Sequence, residues 1–240
     1  MLSTESTNTI KRKVVSMYLA GYNIINLKAK TGRILPSQRD AVRDVVRRNL
    51  VGTEIIADAS EIITIQVLPS LHELSINTAV RRMFLIAAAT HRDATLSLAE
   101  LNHELAEAVI NSDGEVDRFS LYILRNLVIA TQNERILQEI GLRKPSDCLS
   151  YRVTVKSIER IADHASGIAD KCVSIKIDRE TLQHIDNMSK RSLALITDSV
   201  EAFLRRDYSL ADTIVDRAND MRLNENEVLS FIDNSESPSS

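Results

Sequence analysis

The sequence predicts a mainly α protein: five long helices in an up-down bundle, preceded by a small α/β module. Three observations carry this. Among 240 residues there are 6 Gly, 4 Pro, no Trp and 4% aromatics, too few turn and aromatic residues for a sandwich or barrel. Apolar residues make up 44% and charged residues 26%, the balance of an ordinary folded domain and not of a disordered chain. Three of the six glycines and two of the four prolines fall in the first 70 residues. Short broken elements are therefore expected there, and long unbroken helices after them.

Within the first segment, Ile10, Val14, Met17 and Tyr18 have helical spacing, and Gly21 stands where a helix C-terminal glycine would. Tyr22 to Leu27 reads as a strand. Pro36-Ser37 opens a second helix with proline in its first turn, and Gly52 ends it. Glu54 to Ala57 and Ile62 to Val67 are rich in β-branched residues on either side of Asp58-Ala-Ser60, which predicts a hairpin or two neighbouring strands.

After Pro69 the periodicity is helical. Helices are expected at about 72–99, 101–140, 146–175, 180–206 and 208–231, within ~2–4 residues at each end. Tyr151, Val155, Ile158, Ala162, Ala165, Ala169 and Cys172 follow a strict 4-3 spacing. That spacing marks the seam of a bundle helix, with small residues that let a neighbour approach closely. A shift of 105 residues aligns Met83 with Met188, Ala89 with Ala194, Asp93 with Asp198 and Leu105-Ala106 with Leu210-Ala211. The first two bundle helices are thereby echoed in the last two. The expected organisation is a module at 1–69, a three-helix bundle at 70–176, an incomplete second repeat at 177–234 and a disordered tail at 235–240. A sixth helix would begin near 251. Without it an apolar groove is left between the last two helices, which predicts self-association or a partner.

The charge pattern narrows the functional classes. Residues 1–70 carry 10 basic and 6 acidic side chains, and the remainder 20 and 27; a basic segment precedes an acidic one. No apolar run reaches ~18 residues, so no membrane span is expected, and the polar start has no secretory leader. Two cysteines, Cys148 and Cys172, make no disulfide framework; both lie in apolar stretches and are expected to be buried. A reduced, cytoplasmic protein is the expectation.

Acidic residues with helical spacing are the candidate site. Asp113 and Asp117 lie four apart, and Glu159, Asp163, Ser166 and Asp170 follow 4, 3 and 4 on one face. Carboxylates at i and i+4 repel by ~0.2–0.5 kcal/mol. A hard cation would relieve that repulsion, because it takes several carboxylate oxygens. The alternative is a solvated acidic face, with Lys156 pairing Glu159.

Ser157 to Asp170, Ser-Ile-Glu-Arg-Ile-Ala-Asp-His-Ala-Ser-Gly-Ile-Ala-Asp, resembles the signature of the PhoU family of phosphate-uptake regulators. Leu105 to Arg118 resembles that family's second-helix motif. Tyr18-Leu-Ala-Gly-Tyr22 and Gly52 to Ile55 are similar to segments of its archaeal-type members. The resemblance implies related three-helix bundles, no reaction of its own, and contact with a phosphate transporter or sensor protein. It also implies Asp113, Asp117, Glu159 and Asp163 as ligands of a divalent or ferric ion (Fe, Mg, Mn or Zn), with Asp170 a weaker candidate. The second copy departs from the pattern: Ala218 and Arg222 stand opposite Asp113 and Asp117. At most one full metal site is expected per chain. Archaeal-type members often carry an N-terminal DNA-binding module, and nothing before Ile10 matches one.

The expected function is non-enzymatic regulation of phosphate uptake and phosphate homeostasis through protein–protein contacts, by a homo-oligomer or with a partner. One alternative is a transcription-type regulator touching DNA through the basic N-terminal segment. Arg39, Arg43 and Arg47 form a stripe there, but Asp40 and Asp44 interleave and predict internal ion pairs. The other alternative is a metal-dependent enzyme on the bundle, for which no dedicated base is evident. The single Glu100-x-x-His103 falls at a predicted helix junction, away from any matching second motif. His164 points about 100° away from Asp163, which predicts a packing or surface role.

Overall fold

A computed structural model describes residues 5–68, 75–172, 174 and 177–236. In chain order the elements are α1 (Thr7–Leu19), β1 (Ile24–Lys28), α2 (Pro36–Asn49), β2 (Thr53–Asp58), β3 (Ile62–Val67), α3 (Ile76–Glu100), α4 (His103–Gln132), α5 (Glu134–Glu139), α6 (Asp147–Lys171), α7 (Arg179–Arg205) and α8 (Tyr208–Glu236). The five long helices and the small α/β module are those the sequence predicts. The chain divides into two compact units. One holds residues 1–87 and 112–162, the other 88–111 and 163–240.

In the first unit the strands form an antiparallel sheet in the order β1-β3-β2. β3 is central. Ile25 and Leu27 of β1 stand opposite Ile65 and Ile63, and Ile55 of β2 also faces Ile65. These residues share one face because side chains alternate along a strand. They join Ile10, Val14 and Tyr18 of α1 and Val42, Val45 and Val46 of α2 in a single core. A register shift between Ile55 and Ala57 leaves Ile56 exposed on the edge strand, the usual work of a bulge. Ser6 caps α1 through Thr9 N, and the buried Gln38 accepts from Leu35 N at the start of α2. The arginines of α2 find their acids as expected, with one partner from beyond the helix. Arg39 and Arg43 both reach Asp58 at the end of β2, and Arg48 pairs with Asp44.

α4 contributes Arg125 to this unit, 4% exposed. Its guanidinium donates to the carbonyls of Tyr18 and Gly21 and to Asn23 Oδ1, and lies 4.8 Å from the centroid of the Tyr18 ring. The carbonyls at a helix C-terminus lack intrahelical donors and carry partial negative charge, so the end of α1 is a natural seat for a cation. Gly21 is needed at this point. Its φ is +92°, and a Cβ there would stand 3.0 Å from Ile129 Cγ1 of α4. Burial raises the pKa of the Tyr18 phenol and lowers that of Arg125.

In the second unit Ala94, Leu98, Ala106, Val109, Ala165, Ala169 and Cys172 make the core. All seven residues of the 151–172 stripe are buried. α7 and α8 run antiparallel: His184 stacks with Phe231, Ser192 meets Met221, and Asp198 pairs with Arg217 at 2.6 Å. Val215, Leu223 and Leu229 are each more than half exposed on α8.

The 105-residue echo reappears in the turns. α4 begins at His103 and α8 at Tyr208. Among the described residues the non-glycine positions with positive φ are Leu101 and Arg206, at +52° and +57°. Asn102 and Asp207 then cap the following helices through Leu105 N and Leu210 N. Asn102 N and Asp207 N donate back to Ser97 and Ala202 carbonyls at matched positions. Two α-turn-α corners 105 residues apart thus use one set of bonds.

Several expected boundaries move. The helix expected over 101–140 ends at Gln132, because Asn133 takes an extended conformation and its side chain caps a new short helix, α5, through Arg135 N and Ile136 N. α8 continues to Glu236, two residues into the tail expected at 235–240; residues 237–240 lie outside the described residues. The start expected near 72 also lies outside them, and α3 is seen from Ile76. Both cysteines are buried, as expected.

Two predictions follow from this architecture. A left-handed backbone costs an L-residue about 1–2 kcal/mol, so Leu101→Gly and Arg206→Gly should each raise stability by about 0.5–1 kcal/mol in urea unfolding. The second concerns His91, whose ring bonds Ser189 Oγ at 2.8 Å, with Thr95 Oγ1 3.0 Å from the same hydroxyl. Burial lowers its pKa below 6.5, so the folded state resists the proton that the unfolded state accepts. Its neutral form costs nothing above about pH 6.5, and stability falls as pH drops from there toward the folded pKa. His91→Gln should flatten the pH dependence of unfolding between pH 7 and 5.

Candidate functional site

The acidic face is built by two helices. On α4, Asp113 and Asp117 are half-buried, either side of the fully buried Val116. On α6, Glu159 is half-buried beside the buried Ile158. A helical residue next to a core position sits at the core's edge, where a carboxylate keeps some water and gains neighbours. Ser120 extends the α4 face: 113, 117 and 120 follow the same 4-3 spacing. Its buried hydroxyl donates to Glu159 Oε2 at 3.2 Å, which brings the α4 face against α6 in the first unit. Glu159 Oε1 accepts from Lys156 Nζ at 2.6 Å, the pair that the i, i+3 spacing allowed. Arg118 lies 3.8 Å from Glu115 on the neighbouring flank of α4.

Asp163 and Asp170 are exposed and belong to the second unit. The Lys171 ammonium lies 3.9 Å from Asp170 Oδ2. His164 is exposed, the surface role that its angle on α6 predicts. Glu100 and His103 fall on either side of the α3–α4 corner, so the Glu-x-x-His pattern does not share a helix face. Among the described residues, no three His, Cys, Asp and Glu side chains stand close enough together to hold an ion, and no helix is long and apolar enough to cross a membrane.

The residue that sequence reasoning missed is Ser120. The signal was present, since it continues the Asp113–Asp117 spacing by one turn. A serine among carboxylates was simply less conspicuous than the acids.

What this defines is a pair of bundle helices, α4 and α6, joined at an acidic edge by the Ser120–Glu159 bond. Comparison with known proteins agrees. The PhoU domain model matches residues 80–172, from the first turns of α3 to just past the end of α6. The chain is 29% identical over 141 residues to the phosphate-specific transport system accessory protein PhoU homolog 1 of Thermotoga maritima, across 55% of this chain and 56% of that protein. It is 27% identical over 131 residues to the PhoU homolog of Aquifex aeolicus, across 52% and 55%. The likeness to the PhoU domain thus lies in residues 80–172. The chain spans about half the length of the relatives it matches. No solved structure matches it.

Exposed ion pairs contribute about 0–1 kcal/mol. Glu159→Gln, which keeps an acceptor for Ser120, and Asp163→Asn should therefore each shift urea unfolding by less than about 1 kcal/mol. A larger loss would mean that the acidic edge is structural.

Proposed function

We propose that this protein is an accessory regulator of phosphate uptake that acts through contacts with a phosphate transporter or sensor protein and catalyses no reaction itself. The observation that carries this reading is the PhoU match over 80–172, which covers α4 and α6 and the acidic edge between them. The two relatives, both named as phosphate-specific transport accessory proteins, support the same role. Glu159 is engaged by a serine and a lysine, which suits a held surface charge.

Deleting the gene and measuring labelled phosphate uptake under phosphate-replete conditions tests the proposal. Uptake should lose its restraint and rise. Uptake indistinguishable from the parent strain would overturn it.

The reading extends to a metal ion on Asp113, Asp117, Glu159 and Asp163, supported by the paired i, i+4 spacing within the PhoU-like stretch. As the side chains stand they are not gathered as a ligand set. Loading would require Glu159 to exchange the Lys156 ammonium for the ion, and hard oxygen donors of this kind suit Mg, Mn or ferric iron better than a soft metal. Elemental analysis of native protein, beside Glu159→Ala and Asp163→Ala, checks this. Metal should be present in the parent and lost in both variants; equal metal in all three would remove the site.

A further inference from the structure

A cavity of about 380 Å³ lies in the first unit, apart from the acidic edge, between the end of α1, the β1–β3 edge and α4. Its size falls in the lower range of small-molecule sites. Arg125 and Asn126, both more than nine-tenths buried, line it together with Asn23, Gln66 and Tyr122, and Ile129 supplies an apolar wall. Ile24 and Gln66 are register partners across β1 and β3, so the strand pair holds this wall in place.

The charge balance of this cavity is incomplete. A guanidinium has five N–H donors. Among the described residues, Arg125 uses three of them, on Tyr18 O, Gly21 O and Asn23 Oδ1. Nε–H and one Nη1–H have no acceptor there. All three acceptors are neutral, and no Asp or Glu is among the residues that line the cavity. A buried cation without an anion is costly, and the partial charge at the end of α1 answers only part of it. The remaining lining groups are also biased toward donation. Asn23 Oδ1 is taken by Arg125, which leaves the Asn23 amide N–H₂ to donate. Asn126 Nδ2 spends one of its two N–H bonds on Tyr122 O. A pocket with a free pair of guanidinium N–H groups, spare amide donors and no acid suits a ligand whose oxygens only accept.

We propose that this cavity is a binding site for a small oxyanion of the phosphate or carboxylate class, held by Arg125 with donors from Asn23, Asn126 and Gln66, and with room beside Ile129 for a small uncharged body. An anion there completes the charge of Arg125 and ties α4 to the end of α1 more tightly, so binding would stabilise this unit. The site stands on its own geometry and does not depend on the regulatory reading.

Thermal unfolding and calorimetric titration of the full chain test it, with inorganic phosphate, glycerol 3-phosphate and acetate, each against chloride at equal ionic strength. At least one oxyanion should raise the unfolding midpoint saturably, and the ranking separates a free ion from a phosphate ester or a carboxylate. Arg125→Lys, which keeps the charge and loses the fork, should weaken binding at least tenfold. Because that side chain also holds the end of α1, Gln66→Glu is the second variant. It places a carboxylate in the cavity at nearly constant shape, should raise the midpoint without any ligand, and should weaken the oxyanion response at least tenfold. No saturable response to any of the three anions in the parent would overturn the proposal, as would a response that survives unchanged in Gln66→Glu.

Discussion

A guanidinium taken out of water has to be given acceptors, and in the first unit Arg125 finds them in the loose end of α1. That requirement sets much of what surrounds it. The carbonyls of Tyr18 and Gly21 must face α4, so the chain must leave α1 through a left-handed residue. Only glycine fits that path, since φ is +92° and a Cβ at position 21 would stand 3.0 Å from Ile129 Cγ1. Asn23 then adds a third acceptor just before β1, and β1 enters the sheet with Ile25 and Leu27 turned into the core. A helix far along the chain thereby fixes the exit of the first helix and the entry of the first strand. The cost of an uncompensated buried charge is what makes the arrangement specific.

The second unit rests on a different device. Its core is mostly small, with Ala94, Ala106, Ala165, Ala169 and Cys172 at or near full burial. Small residues bring helix axes close, which raises contact density at the expense of tolerance for larger side chains. The corners are stereotyped in the same spirit. Leu101 and Arg206 take the same left-handed turn, followed by Asn102 and Asp207 as caps. Repeating one corner at an interval of 105 residues lets one helical hairpin be made twice, even though few of the side chains along it match. Duplication is therefore clearer in backbone conformation and capping than in residue identity.

The half-buried carboxylates of α4 and α6 sit where the bundle core meets water, and the buried Ser120 hydroxyl joins the two helices at Glu159. These charges are thus held in position at the rim of the core. The basic stripe of α2 is different. Arg39 and Arg43 of that stripe pair with Asp58, and the neighbouring Arg48 pairs with Asp44.

Legible in the sequence were the order of the five long helices and of the module's strands and helices, the helical seam from Tyr151 to Cys172, the arginine stripe and the acidic i, i+4 pairs. All of these are local: they follow from period, from turn chemistry and from spacing on one element. The PhoU-like character was legible for the same reason, since its motifs lie within single helices. Every pairing between distant segments came from the folded chain. The sheet order β1-β3-β2, the break at Asn133, the reach of Asp58 to two arginines, the Ser120–Glu159 bond and the burial of Arg125 against residues more than a hundred positions away all depend on long-range contact. Neither helical period nor side-chain type marks a buried arginine in advance. Its acceptors are backbone carbonyls, which every residue possesses, and only the folded chain selects which of them it meets.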